Sequence, residues 1–234
     1  QLLGLLHGIV HGKELYRLEG GTSALVSAVA RDLPLHSGSR VVQVEQSSDG
    51  VKVFNARGEG GVFDRVIVAT QANHLGFLDD AQFGDERRTL ENIGFDAGEL
   101  WVHRDPRFMP ANKREWSALN FQMDQGLEKP MFTVWVNKVE PSLRGCAPVF
   151  QTWNPLYEPA PETVLSRVPL ERAVVHPGTA QVHQALAQWH RQPGRRVFFC
   201  GSWAHEGVPL LESAVRSANS VVDVINQDRS ASTP

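Results

Sequence analysis

The sequence VFFCGSWAHEGVPLLESAVRSANSVVDVI, at residues 197–225, holds the clearest indication of how this chain folds. An apolar run of four residues precedes Gly201, and after Gly207 the apolar residues recur at helical spacing. This pattern predicts a buried strand, a glycine turn and a helix from about Leu210 to Ile225. A glycine beyond a strand lets backbone approach a ligand, and the positive end of a helix dipole attracts electron-rich groups. The segment therefore predicts one edge of an anion or cofactor site, with a glycine that simply turns the chain as the alternative.

Upstream of this segment the sequence predicts a further group of α/β elements. Four segments carry the pattern: LEGGTSALVSAVARDL (18–33), VVQVEQ (41–46), VKVFNAR (51–57) and FDRVIVAT (63–70). The first predicts a helix capped by Thr22 or Ser23, and the next two alternate in polarity like the strands of a hairpin. The fourth contains the unbroken apolar run Val66–Ala69, which is typical of a strand buried on both faces of a parallel sheet.

The middle of the chain predicts a second sheet. After a polar helix around residues 85–93, three segments rich in aromatic and β-branched residues predict antiparallel strands. They are GELWVHRD (98–105), MFTVWVNKV (131–139) and PVFQTWN (148–154). Five of the six tryptophans lie in or just beyond this region. They are expected either to pack in the core or between domains, or to form the wall of a pocket for a bulky apolar substrate. A helix at Thr179–Trp189 precedes the last strand.

The composition excludes several functional classes. The 234 residues include 23 Lys and Arg and 26 Asp and Glu, so the net charge of −3 gives no broad electrostatic footprint for nucleic-acid binding. Cys146 and Cys200 lie far apart without zinc-ligand spacing, which predicts reduced thiols. No segment has the pattern of a secretory signal or a transmembrane span, so we expect a cytoplasmic protein. His7 and His11 lack a third nearby ligand, and no metal site is predicted.

In their order along the chain, four segments resemble the flavin-containing amine oxidase superfamily. They are LEGGTSALVSAVARDL, RVVQVEQSSDGVKV, FDRVIVATQAN and the segment at 197–225. HRDPRFMPANKREWSALNFQ, TVWVNKVE and QTWNP are most similar to a bacterial subgroup described as predicted NAD/FAD-binding proteins. The resemblance covers nearly the whole chain. It implies an α/β fold in which a partial, three-layer, Rossmann-like FAD-binding domain carries an inserted mixed or antiparallel β-sheet domain for a small-molecule substrate.

The same resemblance implies the domain boundaries. Residues 18–71 and 195–226 would form a discontinuous FAD-binding domain, and residues 72–194 the substrate domain. Residues 1–17 would belong to the substrate domain or to a missing N-terminal part, and residues 227–234 would be a disordered tail.

Three of the implied cofactor contacts lie in the first half of the chain. Val41 matches the position at which the family contacts the adenine of FAD through its backbone. Ala69 and Thr70 match positions near the adenosine and the pyrophosphate. These residues are therefore expected to bind the adenosine end of the cofactor.

Four further contacts come from the segment at 197–225. Gly201 and Ser202 would approach the pyrophosphate and the ribityl chain. Ser213 and Ala214 would present a helix N-terminus to the pyrimidine edge of the flavin, where the dipole stabilises negative charge. No catalytic residue is identified, although His205 and Glu206 would lie near the reactive region of the flavin as a general base or substrate anchor.

The sequence departs from the family pattern in two respects. No G-x-G-x-x-G follows a strand, because GEGG at Gly58–Gly61 has the wrong spacing. Ser202 stands where an acidic residue is common, and Ser213 and Ala218 stand where glycines are common. We therefore expect the C-terminal part of a longer flavoprotein, or a truncated paralogue, with exposed apolar strand faces and a tendency to self-associate.

Two functions follow from this reasoning. The first is an FAD-dependent oxidoreductase of the amine oxidase type, which oxidises an amine or an unsaturated, apolar small molecule by hydride transfer to the flavin. The alternative is a non-catalytic binding or interaction module, or a fragment of a flavoprotein that does not bind FAD alone. A nicotinamide dehydrogenase is least favoured, because its own fingerprint is missing.

Overall fold

The computed structural model of the chain describes residues 20–231. Within that range the chain divides into two compact units. The first unit consists of the described residues of Gln1–Gly94 and Ala173–Pro234, and the second is Phe95–Arg172. The first therefore includes 72–94 and 173–194, which the sequence-based division placed in the substrate domain. The assignment of the units to cofactor and substrate binding stays a prediction, and the segment 1–17 with His7 and His11 lies outside the described residues.

The described residues form the following regular elements. In chain order they are α1 (Gly21–Ala30), β1 (Val41–Ser47), β2 (Gly50–Asn55), β3 (Gly60–Phe63), β4 (Val66–Val68), α2 (Asp80–Leu90), β5 (Gly94–His103), β6 (Leu119–Met123), β7 (Pro130–Trp135), α3 (Val136–Val139), β8 (Phe150–Trp153), β9 (Val164–Val174), α4 (Thr179–His190), β10 (Val197–Phe199) and α5 (Leu211–Ala231). The mixed α/β fold class predicted from the sequence is confirmed.

The predicted hairpin forms part of a three-stranded antiparallel sheet in the order β1-β2-β3. Val44 and Val51 are almost fully buried on it. The segment FDRVIVAT is not one strand, because β3 ends at Phe63 and β4 begins at Val66. Strands β2 and β3 approach so closely that a Cβ on Gly60 would lie 1.9 Å from the backbone oxygen of Val53, so only glycine fits there.

The predicted parallel pairing occurs between β4 and β10. Val66 is in register with Val197, and Val68 with Phe199. The expectation that β4 is buried on both faces is wrong, because Val68 is 4% exposed whereas Ile67 is 45% exposed. Within residues 20–231 the sheet has two strands, and one face of β4 borders an open cleft. On the β10 side, Phe198, Cys200 and Val221 of α5 form a buried cluster, and burial raises the pKa of the Cys200 thiol.

The helices differ from the sequence predictions mainly at their ends. Helix α1 begins after Gly20, which has a φ of 74° and no side-chain cap, rather than at Thr22 or Ser23. Helix α2 begins five residues earlier than predicted, because the Asp79 side chain accepts a hydrogen bond from the Gln82 amide. Helix α4 is as predicted, and α5 continues to Ala231. The Asp79 cap therefore explains the early start of α2.

The second unit contains a five-stranded sheet in the order β6-β7-β8-β5-β9. The three predicted strands correspond to β5, β7 and β8, and their antiparallel pairing is confirmed. Strands β6 and β9 were not predicted. One face of the sheet is closely packed, with Phe150, Thr152 and His103 fully buried. The aromatic content predicted for this region therefore provides the core of the second unit, and Trp101 and Trp153 are also buried.

Candidate functional site

A cleft of about 840 Å³ opens in the first unit beside β1 and β4. Residues that line it include Arg40, Val41, Ile67, Ala69, Thr70 and His74. Three sequence-predicted cofactor contacts, Val41, Ala69 and Thr70, therefore lie around one cavity. Their assignment to FAD stays a prediction. The volume of the cleft lies within the range of about 300–1,000 Å³ that is usual for ligand pockets.

The chain closes this cleft by returning to β1 after β4. The amide of Val44 donates to the Phe77 carbonyl at 2.7 Å, and the amide of Asp79 donates to the Val44 carbonyl at 3.0 Å. These bonds form a parallel bridge between Val44 and Leu78. The segment that follows Thr70 is consequently fixed against the strand that begins with Val41, which keeps the two walls of the cleft together.

The chemistry of the cleft fits the adenosine and phosphate part of a dinucleotide. Val42 and Ile67 are 46% and 45% exposed and offer apolar surface against which an adenine ring can pack. Arg40 lies at the rim, is exposed, and forms no ion pair within residues 20–231. A guanidinium can donate two parallel hydrogen bonds to two oxygens of one phosphate group. The sequence analysis did not propose Arg40, although this cation directly precedes Val41, the residue expected to contact adenine.

Gly201 and Ser202 follow β10 and lie beside the residues that follow β4. The amide of Cys200 donates to the Val68 carbonyl at 3.0 Å, so the pairing with β4 continues for one residue past the end of β10. Ligands of open α/β sheets bind outside the carboxyl ends of the strands. The structure thus brings Ala69 and Gly201 to the same edge, although Gly201 and Ser202 are not part of the lining of the 840 Å³ cleft.

The space beside Gly201 is occupied by protein. Gly201 has a φ of 146°, and a Cβ there would lie 2.9 Å from Nε1 of Trp203. The Gly201 amide donates to the Ser217 hydroxyl at 2.9 Å, and that oxygen also lies 2.9 Å from the Gly201 carbonyl. Glycine is therefore required by the indole of Trp203, a reason that the sequence analysis did not consider. Trp203 and Ser217 were both missed.

The N-terminal turn of α5 is partly occupied by its own hydrogen bonds. The Ser213 hydroxyl donates to the Val208 carbonyl at 2.7 Å, and the Ala214 amide donates to the Leu210 carbonyl at 3.2 Å. Neither group is free to face a flavin in this arrangement, so any dipole effect must come from the first residues of α5. On the preceding loop, His205 Nδ1 donates to the carbonyl of Glu206, and the role of this pair stays a prediction.

A second cleft, of about 860 Å³, belongs to the second unit. Its lining includes the rings of Phe121, Phe132 and Trp153 and the carboxylates of Glu99, Glu128 and Glu158. Glu99 pairs with Arg167 at 2.7 Å, and this hydrogen-bonded pair lowers the pKa of Glu99. Glu128 and Glu158 form no ion pair with any described residue, and the lining also contains the cations Lys129 and Arg172, of which Arg172 pairs with Asp96 at 3.2 Å. The cleft therefore combines aromatic surface with four carboxylates and two cations.

Residues 20–231 contain no cluster of metal-ligating side chains, no membrane-spanning helix and no disulfide. No group of three or more His, Cys, Asp or Glu side chains among residues 20–231 is placed to hold a metal ion. No helix in this range is both long and apolar enough to cross a membrane. Cys146 is exposed, Cys200 is buried, and neither forms a disulfide.

Comparison with known proteins points to one family. A family model described as flavin containing amine oxidoreductase matches residues 6–168. A solved structure of a putrescine oxidase variant with redesigned cofactor binding is similar over 89% of this chain and 53% of its own, with a TM-score of 0.58 and 13% identity. The chain thus spans about half the length of that protein, and the likeness shows a shared fold. No curated protein matches the chain.

Proposed function

The chain belongs to the flavin-containing amine oxidoreductase family, whose cofactor is FAD, and on this premise we propose that it takes part in FAD-dependent oxidation of a small molecule. The substrate is an amine or an unsaturated, apolar compound that loses a hydride. Bound FAD supplies the hydride acceptor. The residues of this chain hold the cofactor, orient the substrate and exclude water.

The shared position of the expected cofactor contacts supports this proposal most directly. Val41, Ala69 and Thr70 surround one cleft, and the Gly201 turn lies at the same edge of the parallel strands. We assign the adenosine end of FAD to the cleft and its ribityl and flavin end to the side of Gly201 and Ser202. The residue that would hold the phosphates is Arg40, which lines the same cleft.

The second cleft supports an amine as the substrate. Aromatic faces such as those of Phe121 and Phe132 attract cations, and the four carboxylates of the lining outnumber its two cations, Lys129 and Arg172. A neutral polyene would gain nothing from these carboxylates. The described cleft therefore favours a substrate that joins an apolar body to an ammonium group.

A non-catalytic binding module is the second candidate function. Its support is the absence of a G-x-G-x-x-G motif from the 234 residues, since that motif holds the ADP moiety in the family. Such a module would retain the clefts without turning over a substrate. The two functions differ in whether FAD binds to the chain, which a titration measures directly.

Replacing Arg40 by Gln is expected to weaken FAD binding about tenfold or more, because a charged hydrogen bond to phosphate is lost. Binding is measured by the change of flavin fluorescence as FAD is titrated into the purified chain. Riboflavin, which has no phosphate, should bind the Arg40→Gln variant and the wild type equally. The matched control is Arg31→Gln, which removes an exposed cation that does not line the cleft.

The outcomes separate the two functions. Absence of FAD binding by the wild-type chain supports the non-catalytic module or the fragment and contradicts the proposed oxidoreductase site. If Arg40→Gln weakened the binding of FAD and of riboflavin equally, Arg40 would not bind a phosphate. A loss from Arg31→Gln as large as that from Arg40→Gln would show that only the overall charge matters.

A further inference from the structure

The indole of Trp203 connects the ends of the two parallel strands of the first unit. Its Nε1 donates to the carbonyl oxygen of Thr70 at 2.9 Å, and the side chain is 4% exposed. Strands β4 and β10 pair over only three residues each. The hydrogen bond of Trp203 therefore extends the connection beyond the ladder, to the residue that borders the cleft.

Trp203 is itself held by two other contacts. Its carbonyl accepts a hydrogen bond from Nε2 of His183, on α4, at 2.9 Å. Its ring occupies the space that the missing side chain of Gly201 leaves, since a Cβ at Gly201 would lie 2.9 Å from the ring nitrogen. The position and the orientation of the indole are thus determined by contacts outside the cleft.

The neighbouring backbone is also held from α5. The Ser217 side chain is 3% exposed, and its hydroxyl lies 2.9 Å from both the nitrogen and the oxygen of Gly201. With Gly201 held by Ser217 and Thr70 held by Trp203, both strand ends are ordered before any ligand arrives. A binding site that is ordered in advance loses less conformational entropy when its ligand binds.

We propose that Trp203 is a positioning residue for FAD, whose indole N–H fixes the Thr70 backbone beside the Gly201 turn so that both strand ends meet one cofactor. This inference rests on the proposed function. Trp203 acts through Thr70, and its N–H is already used within the protein. The indole therefore sets the shape of the site and does not itself contact the cofactor.

The test compares Trp203→Phe with the wild-type chain. Phenylalanine keeps an aromatic ring in the buried position and removes the N–H donor. We expect the dissociation constant of FAD to rise about tenfold, the effect of one lost hydrogen bond. Trp189→Phe is the matched control, because the indole of Trp189 forms no hydrogen bond in the described part of the chain and lies on α4 of the same unit. It should leave the dissociation constant unchanged.

A second readout does not require FAD. Amide hydrogen exchange of Cys200 and Gly201 is expected to be faster in Trp203→Phe than in the wild type, while exchange of Val221 in α5 stays the same. The thermal midpoint should change little relative to Trp189→Phe. A residue with a merely structural role would lower the midpoint and speed exchange throughout the unit. If Trp203→Phe does not fold, His183→Phe removes one support of Trp203 and should give smaller changes of the same kind.

Failure of this inference differs from failure of the proposed function. If the wild type binds FAD and Trp203→Phe binds it equally well, the inference is overturned and the proposed function stands. If the wild type binds no FAD, the proposed function is contradicted, and the exchange of Cys200 and Gly201 alone decides whether Trp203 orders the strand ends. Unchanged exchange at both amides would overturn the inference in either case.

Discussion

Glu86→Gln is expected to lower the free energy of unfolding of the first unit by about 3–5 kcal/mol. The Arg195 guanidinium donates two hydrogen bonds to the Glu86 carboxylate, with N–O distances of 2.5 and 2.8 Å. The two side chains are only 6% and 13% exposed. Glutamine retains the shape but not the charge, so the guanidinium would stay buried without a counter-ion. Urea denaturation at pH 7 measures the change as a lower midpoint at an unchanged slope.

Two further variants separate the charge from the packing. Glu212→Gln breaks an exposed pair with Arg216 and should cost about 0.5 kcal/mol or less. Replacing both partners, Glu86 by Leu and Arg195 by Met, should restore most of the stability, because no buried charge remains and an apolar side chain then lies near Phe83, whose ring centroid is 5.9 Å from the Arg195 guanidinium carbon. A loss from Glu86→Gln as small as that from Glu212→Gln would contradict this explanation.

Acidification from pH 7 to pH 4 is expected to destabilise both units through one buried histidine in each. Burial lowers the pKa of His190 to about 4, with a further contribution from Arg195 and Arg191. Burial also lowers the pKa of His103 to about 4, although Asp105 opposes the shift. In the unfolded chain both histidines have the ordinary pKa of 6.5, so they take up protons at a higher pH than in the folded chain. The stability that the neutral histidines contribute is therefore fully present above pH 6.5 and is lost as the pH falls from 6.5 to 4. Each shift corresponds to about 3 kcal/mol.

The contacts of both rings require the neutral form. His190 Nε2 accepts the buried amide of Phe199 at 3.0 Å, so a proton on this nitrogen would face another N–H group. His103 Nδ1 accepts the amide of Asp105 at 3.2 Å, and its Nε2 donates to the Thr152 hydroxyl at 2.9 Å. Protonation of either ring therefore removes an acceptor as well as burying a charge.

The pH dependence is measured as urea midpoints at pH 7, 5.5 and 4.5. His190→Gln keeps a side-chain acceptor for Phe199 without titrating in this range, so the first unit of this variant should lose less stability on acidification than the wild type. His36→Gln, which replaces an exposed histidine, serves as the control. Equal loss of stability in His190→Gln and the wild type would contradict the assignment to His190.

Strands with a clear local pattern were predictable from the sequence, and strands defined by their neighbours were not. The apolar run at Val66–Val68 predicted parallel pairing, which β10 supplies. Strand β9, Val164–Val174, includes Pro169 together with charged residues, and most of its residues are exposed. It lacks the alternation from which a strand is inferred, and it is a strand because β5 offers an edge to pair with.

The candidate site was predictable to a similar extent. Val41, Ala69 and Thr70 were proposed from the family resemblance, and the structure places them around one cleft. Trp203 was not proposed, because its hydrogen bond joins it to Thr70, 133 positions away along the chain. The position of Trp203, two residues after the glycine that follows β10, is visible in the sequence. Its hydrogen-bond partner Thr70 becomes apparent only when β4 and β10 are paired.

The most direct test of the account is a titration of the isotopically labelled chain with FAD, followed by the backbone amide resonances. The central claim is that the cleft beside β1 and β4 and the turn after β10 bind one molecule of FAD. We expect the amides of Val41, Thr70 and Gly201 to shift together and to give the same dissociation constant. Shifts confined to one of these groups, different dissociation constants for them, or shifts only in the second unit would contradict the claim.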